Sequence, residues 1–391
     1  MDFLVRRDDL HECRLADQET GPLEPGQAAL QVDRFGLTTN NITYAVFGEA
    51  MSYWDFFPAE DGWGRVPVWG FAEVEDGGDT DLEKGARIFG YLPPSSGFVV
   101  TPHRVDERGF VDAAPHRANL PAAYNGYSFA EAMEVYEPRR EAEQMLLWPL
   151  FYTSFLLDDF LGSERLFGAT TAVLSSASSK TALGAAFQLA QREGVRVVGL
   201  TSPGRVGFVE ELQLYHSVLA YPEAASLPKE PAVYVDMSGD AAVRAAVHEH
   251  YGDELRHSAV IGATHFDRLA PEEARSLPGP NPKFFFAPDQ VRRRTAEWGR
   301  DGLDSRFADA WGPFVEWASG WLEVVRRDGG EAVKAAYLEL LDGRADPSAG
   351  YVLSPEDALR RRGGCVLIGP HQPRRRRWAF STRSRERRSR P

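Results

Sequence analysis

Cysteine and long apolar runs are scarce in this sequence. Only two cysteines, Cys13 and Cys365, occur in 391 residues, and neither belongs to a C-x-x-C or Cys/His pattern. This scarcity argues against a disulfide framework and against a cysteine-based zinc site. The longest uncharged apolar run, Met145–Leu157, contains Pro149 and is too short to span a bilayer. The N-terminal residues also lack the apolar core of a signal peptide, so we expect a cytoplasmic protein with no membrane partner.

Positive charge is sparse over most of the chain and concentrated at its end. The formal net charge is −13, although residues 360–391 contain twelve arginines and one glutamate. An acidic body disfavours non-specific nucleic-acid binding, so we expect no nucleic-acid partner for the folded part. The composition of residues 356–391 predicts a disordered tail. This tail has two interpretations, which are an anion-binding or nucleic-acid-binding segment and an altered reading frame.

Short strands separated by glycine and proline dominate the first 125 residues. Strands are predicted at Ala28–Phe35, Pro67–Val74, Ala86–Tyr91 and Phe98–Thr101. Their close spacing is typical of a small barrel-like β domain rather than a parallel sheet. From about residue 128 the spacing of apolar residues becomes helical. It predicts helices at Phe129–Tyr136 and Glu141–Phe160, and later at 289–298, 305–326 and 330–342.

Strands and helices alternate between residues 170 and 265. The stretch Thr170–Thr201 has the pattern strand, turn, helix, strand, which is a complete βαβ unit. Further strands are predicted at Ser217–Ala220, Ala232–Asp236 and His257–Gly262, with helices at Val206–Leu212 and Ala241–His250. This alternation predicts an α/β fold with a doubly wound parallel sheet.

The turn inside the βαβ unit is poor in glycine but rich in hydroxyl groups. Such units commonly bind the pyrophosphate of a dinucleotide at the helix N-terminus, through a G-x-G-x-x-G pattern that this turn lacks. Instead Ser176, Ser178 and Ser179 offer hydroxyls, Lys180 offers a positive charge, and Thr181 is placed to cap the helix. The alternative is a capped connection between strand and helix that binds no ligand.

The loop after the second strand bears on the choice of nucleotide. A carboxylate there would accept hydrogen bonds from a ribose 2′-hydroxyl and favour NAD. The sequence instead has Ser202 and Arg205, which suit a 2′-phosphate. We therefore predict NADP(H) as the cofactor. The alternative is an ordinary surface loop with a solvated arginine.

Five segments of the chain carry a family resemblance, and they are Leu23–Gly48, Leu82–Tyr91, Thr171–Ala190, Val233–Gly239 and Ala259–His265. Together they resemble the medium-chain dehydrogenase/reductase superfamily, in a zinc-free branch of unknown function that is similar to quinone oxidoreductases. The resemblance implies a GroES-like β-barrel domain over residues 1–127 and a Rossmann-type nucleotide-binding domain over 128–300. It also implies a helical return segment over 301–355 that goes back to the first domain, followed by the tail.

The sequence departs from the zinc-dependent members of that superfamily. Those members carry a cysteine and a Gly-His-Glu element in the barrel domain. Here no cysteine lies near Gly36–Ala45, and Phe71 and Ala72 stand where His and Glu would be needed. We therefore expect no catalytic zinc and no other metal site.

The resemblance places the polar run Asn40–Tyr44 opposite a bound nicotinamide. The amides of Asn40 and Asn41 and the hydroxyl of Tyr44 are candidate catalytic groups, because they can hydrogen-bond a substrate carbonyl and stabilise developing charge. The alternative interpretation of the same residues is a polar turn or a helix cap.

Two further groups of residues are candidates for the site. Tyr53, Trp54 and Phe57 are predicted to form the wall of an apolar substrate pocket, or alternatively to anchor a loop in the core. Thr264 and His265 follow a strand end in the crevice where open α/β sheets bind ligands. Thr264 is assigned to the cofactor and His265 to proton donation, with a structural histidine as the alternative.

Two functions follow from these patterns. The first is an NADP(H)-dependent, zinc-independent reductase that acts on an activated carbonyl or alkene of a small organic substrate. The second is a non-catalytic dinucleotide-binding protein that keeps the same fold. The missing glycines favour the second, whereas the aromatic cluster and the Asn40–Tyr44 run favour the first. Phe284–Phe286 and Trp311–Trp321 are assigned to packing or to a subunit interface, which leaves a homodimer open.

Overall fold

Two large sheets of different character organise the protein, as seen in a computed structural model that describes residues 1–18, 21–261 and 277–357. The strands are β1 (Asp2–Arg6), β2 (Cys13–Ala16), β3 (Ala28–Leu37), β4 (Trp63–Gly64), β5 (Val68–Asp76), β6 (Arg87–Leu92), β7 (Gly97–Val100), β8 (Pro102–Asp106), β9 (Gly109–Asp112), β10 (Gly126–Phe129), β11 (Thr171–Leu174), β12 (Arg196–Thr201), β13 (Ser217–Ala220), β14 (Ala232–Asp236), β15 (Leu255–Val260), β16 (Lys283–Phe284), β17 (Glu323–Asp328) and β18 (Ala349–Ser354). The α-helices are α1 (Thr39–Val46), α2 (Glu141–Ser163), α3 (Lys180–Leu189), α4 (Val206–Glu211), α5 (Ala241–Tyr251), α6 (Ala287–Ala318) and α7 (Gly330–Leu341).

The first large sheet combines the N-terminal strands with two strands from the end of the described chain. Its order is β17-β18-β3-β5-β6-β10-β9-β8, and β7 also pairs with β3. Strand β18 runs antiparallel to β3, with Tyr351 opposite Leu37. The described residues also form a small sheet of order β2-β1-β4. The return of the chain to its first half, which the resemblance implied, is thus made through β17 and β18.

The second large sheet is parallel throughout the described residues, with the order β13-β12-β11-β14-β15-β16. Every residue of β11 and of β14 is buried. Parallel strands are buried in this way when helices cover both faces of the sheet. The predicted βαβ unit is confirmed as β11-α3-β12.

Helix α2 fills the space between the two large sheets. It continues through Pro149, and its apolar side chains share one core with Phe71 and Phe89 of the first sheet and with Ala172 and Leu174 of the second. The contacts of the backbone group residues 1–357 into one unit, so the domain boundaries at 127 and 300 stay predictions. Within the described part of the chain, none of the helices has the length and apolarity needed to cross a membrane.

Two of the predicted helices are wrong in whole or in part. Strand β10 occupies the start of the predicted helix Phe129–Tyr136, and only a short 3-10 turn, Ala130–Ala132, follows it. The helix predicted to run from 305 to 326 ends at Ala318, after which β17 begins. At the second place, pairing of β17 with β18 overrides the local helical spacing. The tail from residue 358, including Cys365, lies outside the described residues.

Candidate functional site

A cavity of about 380 Å³ lies between the first sheet and the nucleotide-type turn that precedes α3. Helix α1, helix α2, the turn and the segment after β16 all contribute to its wall. Its lining includes Asn40, Thr43, Tyr44, Tyr53, Trp69, Tyr124, Trp148, Tyr152, Ser176, Ser179, Lys180, Thr181, Met237 and Phe285. The cavity therefore brings together residues from most of the segments that the sequence marked as candidates.

Helix α1 presents only part of the predicted polar run to the cavity. Asn40 and Tyr44 line it, whereas Asn41 is buried at 3% exposure and does not. Asn41 Oδ1 accepts a hydrogen bond from the backbone N–H of Thr38 at 2.8 Å, and Asn41 Nδ2 donates to the carbonyl of Pro67 at 2.9 Å. Asn41 therefore lies outside the cavity lining, because its oxygen belongs to the N-terminal cap of α1 and its NH2 group is bonded to Pro67.

Tyr44 places a protonated hydroxyl in the aromatic wall of the cavity. Its ring lies 4.7 Å from the ring of Tyr53 and 5.5 Å from that of Tyr91, measured between centroids. Burial raises the pKa of Tyr44, so the hydroxyl keeps its proton at neutral pH. Trp69 Nε1 donates to the Tyr44 oxygen at 3.4 Å, and Asn40 is a second side-chain hydrogen-bond partner of the same hydroxyl.

Of the predicted aromatic wall, only Tyr53 reaches the cavity. Trp54 is 1% exposed, and its ring lies so close to Gly48 and Gly64 that a Cβ atom at either glycine would sit 2.0 or 2.4 Å from it. Phe57 belongs to the same core as Trp54. The structure thus corrects the assignment of Trp54 and Phe57, because both rings are used to fill the barrel core.

The glycine-poor turn keeps a backbone shape that glycine would normally provide. Ser176 adopts a left-handed conformation with φ 52°, which non-glycine residues rarely adopt. Its backbone N–H donates to the hydroxyl of Tyr221 at 3.1 Å. Ser179 is the N-cap of α3, accepting from the N–H of Ala182 at 3.2 Å. The predicted cap at Thr181 is therefore wrong by two residues, because α3 begins at Lys180.

The remaining residues predicted to bind the cofactor lie around this turn. Ser176, Ser179, Lys180 and Thr181 line the cavity. The hydroxyl of Ser178 accepts from that of Thr201, at the end of β12, at 3.4 Å, and Ser178 does not line the cavity. Ser202 and Arg205 belong to the short helical turn after β12, and neither lines the cavity.

Lys180 and Arg205 both contact the loop between α7 and β18. Lys180 Nζ donates to the carbonyls of Pro347 at 3.2 Å and Ala349 at 2.8 Å, and Arg205 Nη2 donates to the carbonyl of Ala345 at 3.0 Å. Burial lowers the pKa of Lys180 to about 8. Asp346 acts against this lowering by attracting the Lys180 charge, and Lys180 makes no ion pair with the residues that the structure describes.

A buried hydrogen-bond network fixes the strand ends beneath the cavity. Ser175 Oγ donates to Asp236 Oδ1 at 3.0 Å and accepts from the N–H of Met237 at 2.9 Å. Asp236 also pairs with Arg244, whose Nε lies 2.8 Å from Oδ2. The network joins the ends of β11 and β14, and thereby holds Met237 in the cavity wall.

Sequence reasoning missed much of the aromatic wall. Four aromatic residues that were not predicted line the cavity, namely Trp69, Tyr124, Trp148 and Tyr152. Trp69 comes from β5, Tyr124 from a short 3-10 turn, and the other two from α2, so they are far apart in the sequence. Trp69 lies within the predicted strand Pro67–Val74, but that prediction did not mark it as a site residue. Thr264 and His265 lie outside the described residues. Across 1–18, 21–261 and 277–357, no group of three or more His, Cys, Asp or Glu side chains is arranged to hold a metal ion.

The fold is that of medium-chain dehydrogenase/reductase enzymes, as solved structures show. A candidate NADPH:quinone reductase from Mesorhizobium loti aligns with 84% of this chain and 87% of its own, at 12% identity and a TM-score of 0.52. The CurF ER cyclopropanase of the curacin A biosynthetic pathway covers 90% and 97%, at 14% identity and a TM-score of 0.52. CurA from Vibrio vulnificus covers 88% and 94%, at 14% identity and a TM-score of 0.50.

These alignments confirm the predicted architecture of a GroES-like domain and a Rossmann-type sheet, and at this level of identity they carry the fold alone. A search of curated proteins finds no match to the sequence. The family model described as "Protein of unknown function (DUF2855)" matches residues 35–346. The chain belongs to that family.

Proposed function

We propose that the protein is an NADP(H)-dependent, zinc-independent oxidoreductase that reduces an activated carbonyl or alkene, such as a quinone or an enone, in a small organic substrate. One observation carries this proposal. A single cavity joins the hydroxyl and amide groups of α1 to the turn and helix N-terminus that dinucleotides use in this kind of sheet.

The turn before α3 fits the phosphates of a dinucleotide. Ser176 supplies the left-handed backbone that the missing glycine would provide, and the N-terminus of α3 favours an anion. Lys180 is a half-buried cation in the cavity wall whose hydrogen bonds go to backbone carbonyls, and its Nζ lies 6.0 Å from the centroid of the Trp321 ring. It makes no ion pair among the described residues, so a bound phosphate would stabilise its charge. Ser176, Ser179, Lys180 and Thr181 would hold this group.

The preference for NADP(H) over NAD(H) rests on the end of β12. The chain there continues through Ser202 to Arg205 and has no carboxylate to accept a ribose 2′-hydroxyl. Arg205 offers the guanidinium group that suits a 2′-phosphate. One of the solved structures with this fold is a candidate NADPH:quinone reductase, which supports the same choice by analogy of fold.

The opposite wall fits an uncharged, largely apolar substrate. Lys180 is the single residue with a charged side chain among the described lining residues, and most of the remainder are aromatic or aliphatic. A bound nicotinamide cofactor would supply the hydride. Tyr44 would donate a hydrogen bond to the substrate oxygen and stabilise the charge that develops on it, while Asn40 and Thr43 flank the same position.

Titration with NADPH and NADH, followed by a panel of quinones and enones, tests this function. We expect NADPH to bind more tightly than NADH and to be consumed with at least one substrate. Replacing Tyr44→Phe removes the donor and should lower kcat about 100-fold, while the Kd for NADPH stays unchanged. Tyr251→Phe is the matched control, because the hydroxyl of Tyr251 is buried in α5, outside the cavity lining.

Two outcomes contradict the proposal in different ways. If neither nucleotide stabilises the protein at millimolar concentration, the turn does not bind a dinucleotide. If NADPH binds but is not consumed with any compound of a broad panel, the protein is the non-catalytic dinucleotide-binding protein that the sequence also allowed.

A further inference from the structure

The segment that joins α7 to β18 contacts both Lys180 and Arg205, the two cations proposed to bind the nucleotide. Three hydrogen bonds make this contact, from Lys180 Nζ to the carbonyls of Pro347 and Ala349 and from Arg205 Nη2 to the carbonyl of Ala345. Their lengths lie between 2.8 and 3.2 Å. We call the segment Ala345–Ala349 the return loop. It takes up the donors that the fold would otherwise direct at phosphate groups.

Carbonyl oxygens satisfy these donors but do not neutralise their charges. The one carboxylate in the return loop is Asp346, an exposed residue next to the carbonyl that Arg205 contacts. Hydrogen bonds from the backbone N–H and the hydroxyl of Ser348, at 2.9 and 2.6 Å, hold Asp346 Oδ1 in place. These bonds are the main cause of the lowered pKa of Asp346, and attraction to Arg205 and Lys180 adds to it.

We propose that Asp346 is a specificity-determining residue of the nucleotide site, and that the return loop and the phosphates of a dinucleotide compete for Lys180 and Arg205. This inference rests on the proposed function, because it takes the dinucleotide to bind at the turn before α3. The fixed carboxylate gives the loop the same sign of charge as a phosphate. A nucleotide therefore binds in exchange for the loop contacts.

The competition affects NADPH more than NADH. Both nucleotides carry a pyrophosphate, which meets Lys180, but only NADPH carries a 2′-phosphate, which meets Arg205. Asp346 lies beside the Arg205 contact, so its charge repels the 2′-phosphate as well as competing for the guanidinium. Asp346 thus narrows the preference for NADPH that Arg205 creates.

The variant Asp346→Asn separates this charge from the loop structure. Asparagine keeps an Oδ1 acceptor for the N–H of Ser348 and removes the negative charge. We expect the Kd for NADPH to fall about 3- to 10-fold at low ionic strength, with a smaller change for NADH. Asp342→Asn is the matched control, since Asp342 lies in the same part of the chain but pairs with Arg344 and His11.

A measurement on the unmodified full chain gives a second readout. If the nucleotide displaces the loop, saturating NADPH should speed amide hydrogen exchange over residues 345–350, because the loop loses its contacts with Lys180 and Arg205. The inference is overturned if Asp346→Asn binds NADPH no more tightly than the unmodified chain, or if NADPH slows exchange over the loop. Failure of the proposed function looks different, since then neither the unmodified chain nor either variant binds any dinucleotide.

Discussion

Two cations at the same end of the parallel sheet differ in what surrounds them. Arg244 is 3% exposed and pairs with Asp236, which is fully buried and also bonded to Ser175. Lys180 lies at the start of α3 and donates only to backbone carbonyls. Arg244 thus makes a buried ion pair within the fold, whereas Lys180 makes no such pair among the described residues and has only the longer-range attraction of Asp346.

This difference distinguishes a cation that stabilises the fold from a cation that is available to bind a ligand. Among the described residues, the other buried arginines also form ion pairs. Arg117 Nε lies 3.0 Å from Asp112 Oδ2, and Arg294 Nε lies 2.5 Å from Asp159 Oδ2. A buried charge pair maintains a fold when both partners are present. Lys180, in the wall of the cavity, makes no such ion pair within the described part of the chain. An anionic ligand bound there would supply the missing partner.

The largest expected effect comes from breaking the structural pair with Asp236→Asn. The change leaves Arg244 buried without its counter-charge, so the free energy of unfolding should fall by about 3–5 kcal/mol. Chemical denaturation measures this loss. Glu230→Gln is the control, because it removes an exposed contact with Arg196 and should change stability by less than about 0.5 kcal/mol. Equal stability of the two variants would mean that the buried pair has no special role.

We expect Lys180→Met to weaken nucleotide binding without lowering the free energy of unfolding. Removing a desolvated charge should leave the free energy of unfolding unchanged or higher, while the Kd for NADPH rises about 10-fold or more through the lost charge-assisted hydrogen bond. Thermal denaturation and nucleotide titration of the same preparation measure both quantities. A loss of stability comparable to that of Asp236→Asn would show that Lys180 is a structural cation like Arg244.

Lys180 also imposes a pH dependence on the free energy of unfolding. Its pKa is lowered from 10.5 to about 8 by burial, and Asp346 opposes this shift. Between these values the unfolded chain holds a proton that the folded chain has lost, so stability from this group rises with pH. The stability difference between Lys180→Met and the unmodified chain should therefore be largest below pH 8 and shrink towards pH 10.5.

The same titration predicts weaker nucleotide binding at high pH. Above about pH 8 the ammonium group loses its proton, and the Kd for NADPH should rise by at most about 10-fold per pH unit. Lys180→Met should not show this rise. A Kd that stays flat from pH 7 to pH 9.5 in the unmodified chain would contradict a role for Lys180 in phosphate binding.

Local patterns predicted the parallel sheet well and the first sheet less well. The order strand, turn, helix, strand over Thr170–Thr201 was predicted correctly and corresponds to β11, α3 and β12, because buried strands and an amphipathic helix have distinct periods. Strand β17 was missed and placed in a helix, because its partner β18 comes 20 or more residues later and its own spacing carries no sign of the pairing. Long-range pairing of this kind cannot be seen in a local window.

In the candidate site too, some residues could be predicted from local sequence and others could not. Residue type and position identified Asn40, Tyr44, Tyr53 and Lys180, and all four line the cavity. Asn41 belongs to the same polar run, yet its amide faces Pro67. Sequence alone could not separate Asn40 from Asn41, because the choice depends on which face of α1 meets the first sheet.

The sequence by itself determined that a strand, a hydroxyl-rich turn with Lys180 and a helix follow one another, in the order that commonly binds a dinucleotide in sheets of this kind. This followed from local periodicity and from residue types confined to a few positions. Only the tertiary structure decided that Lys180 and Arg205 meet the return loop, about 140 to 170 residues further along the chain. The physical reason is that the hydrogen-bond partners and the pKa of a charged side chain depend on the groups around it. The packing of distant segments determines which groups these are.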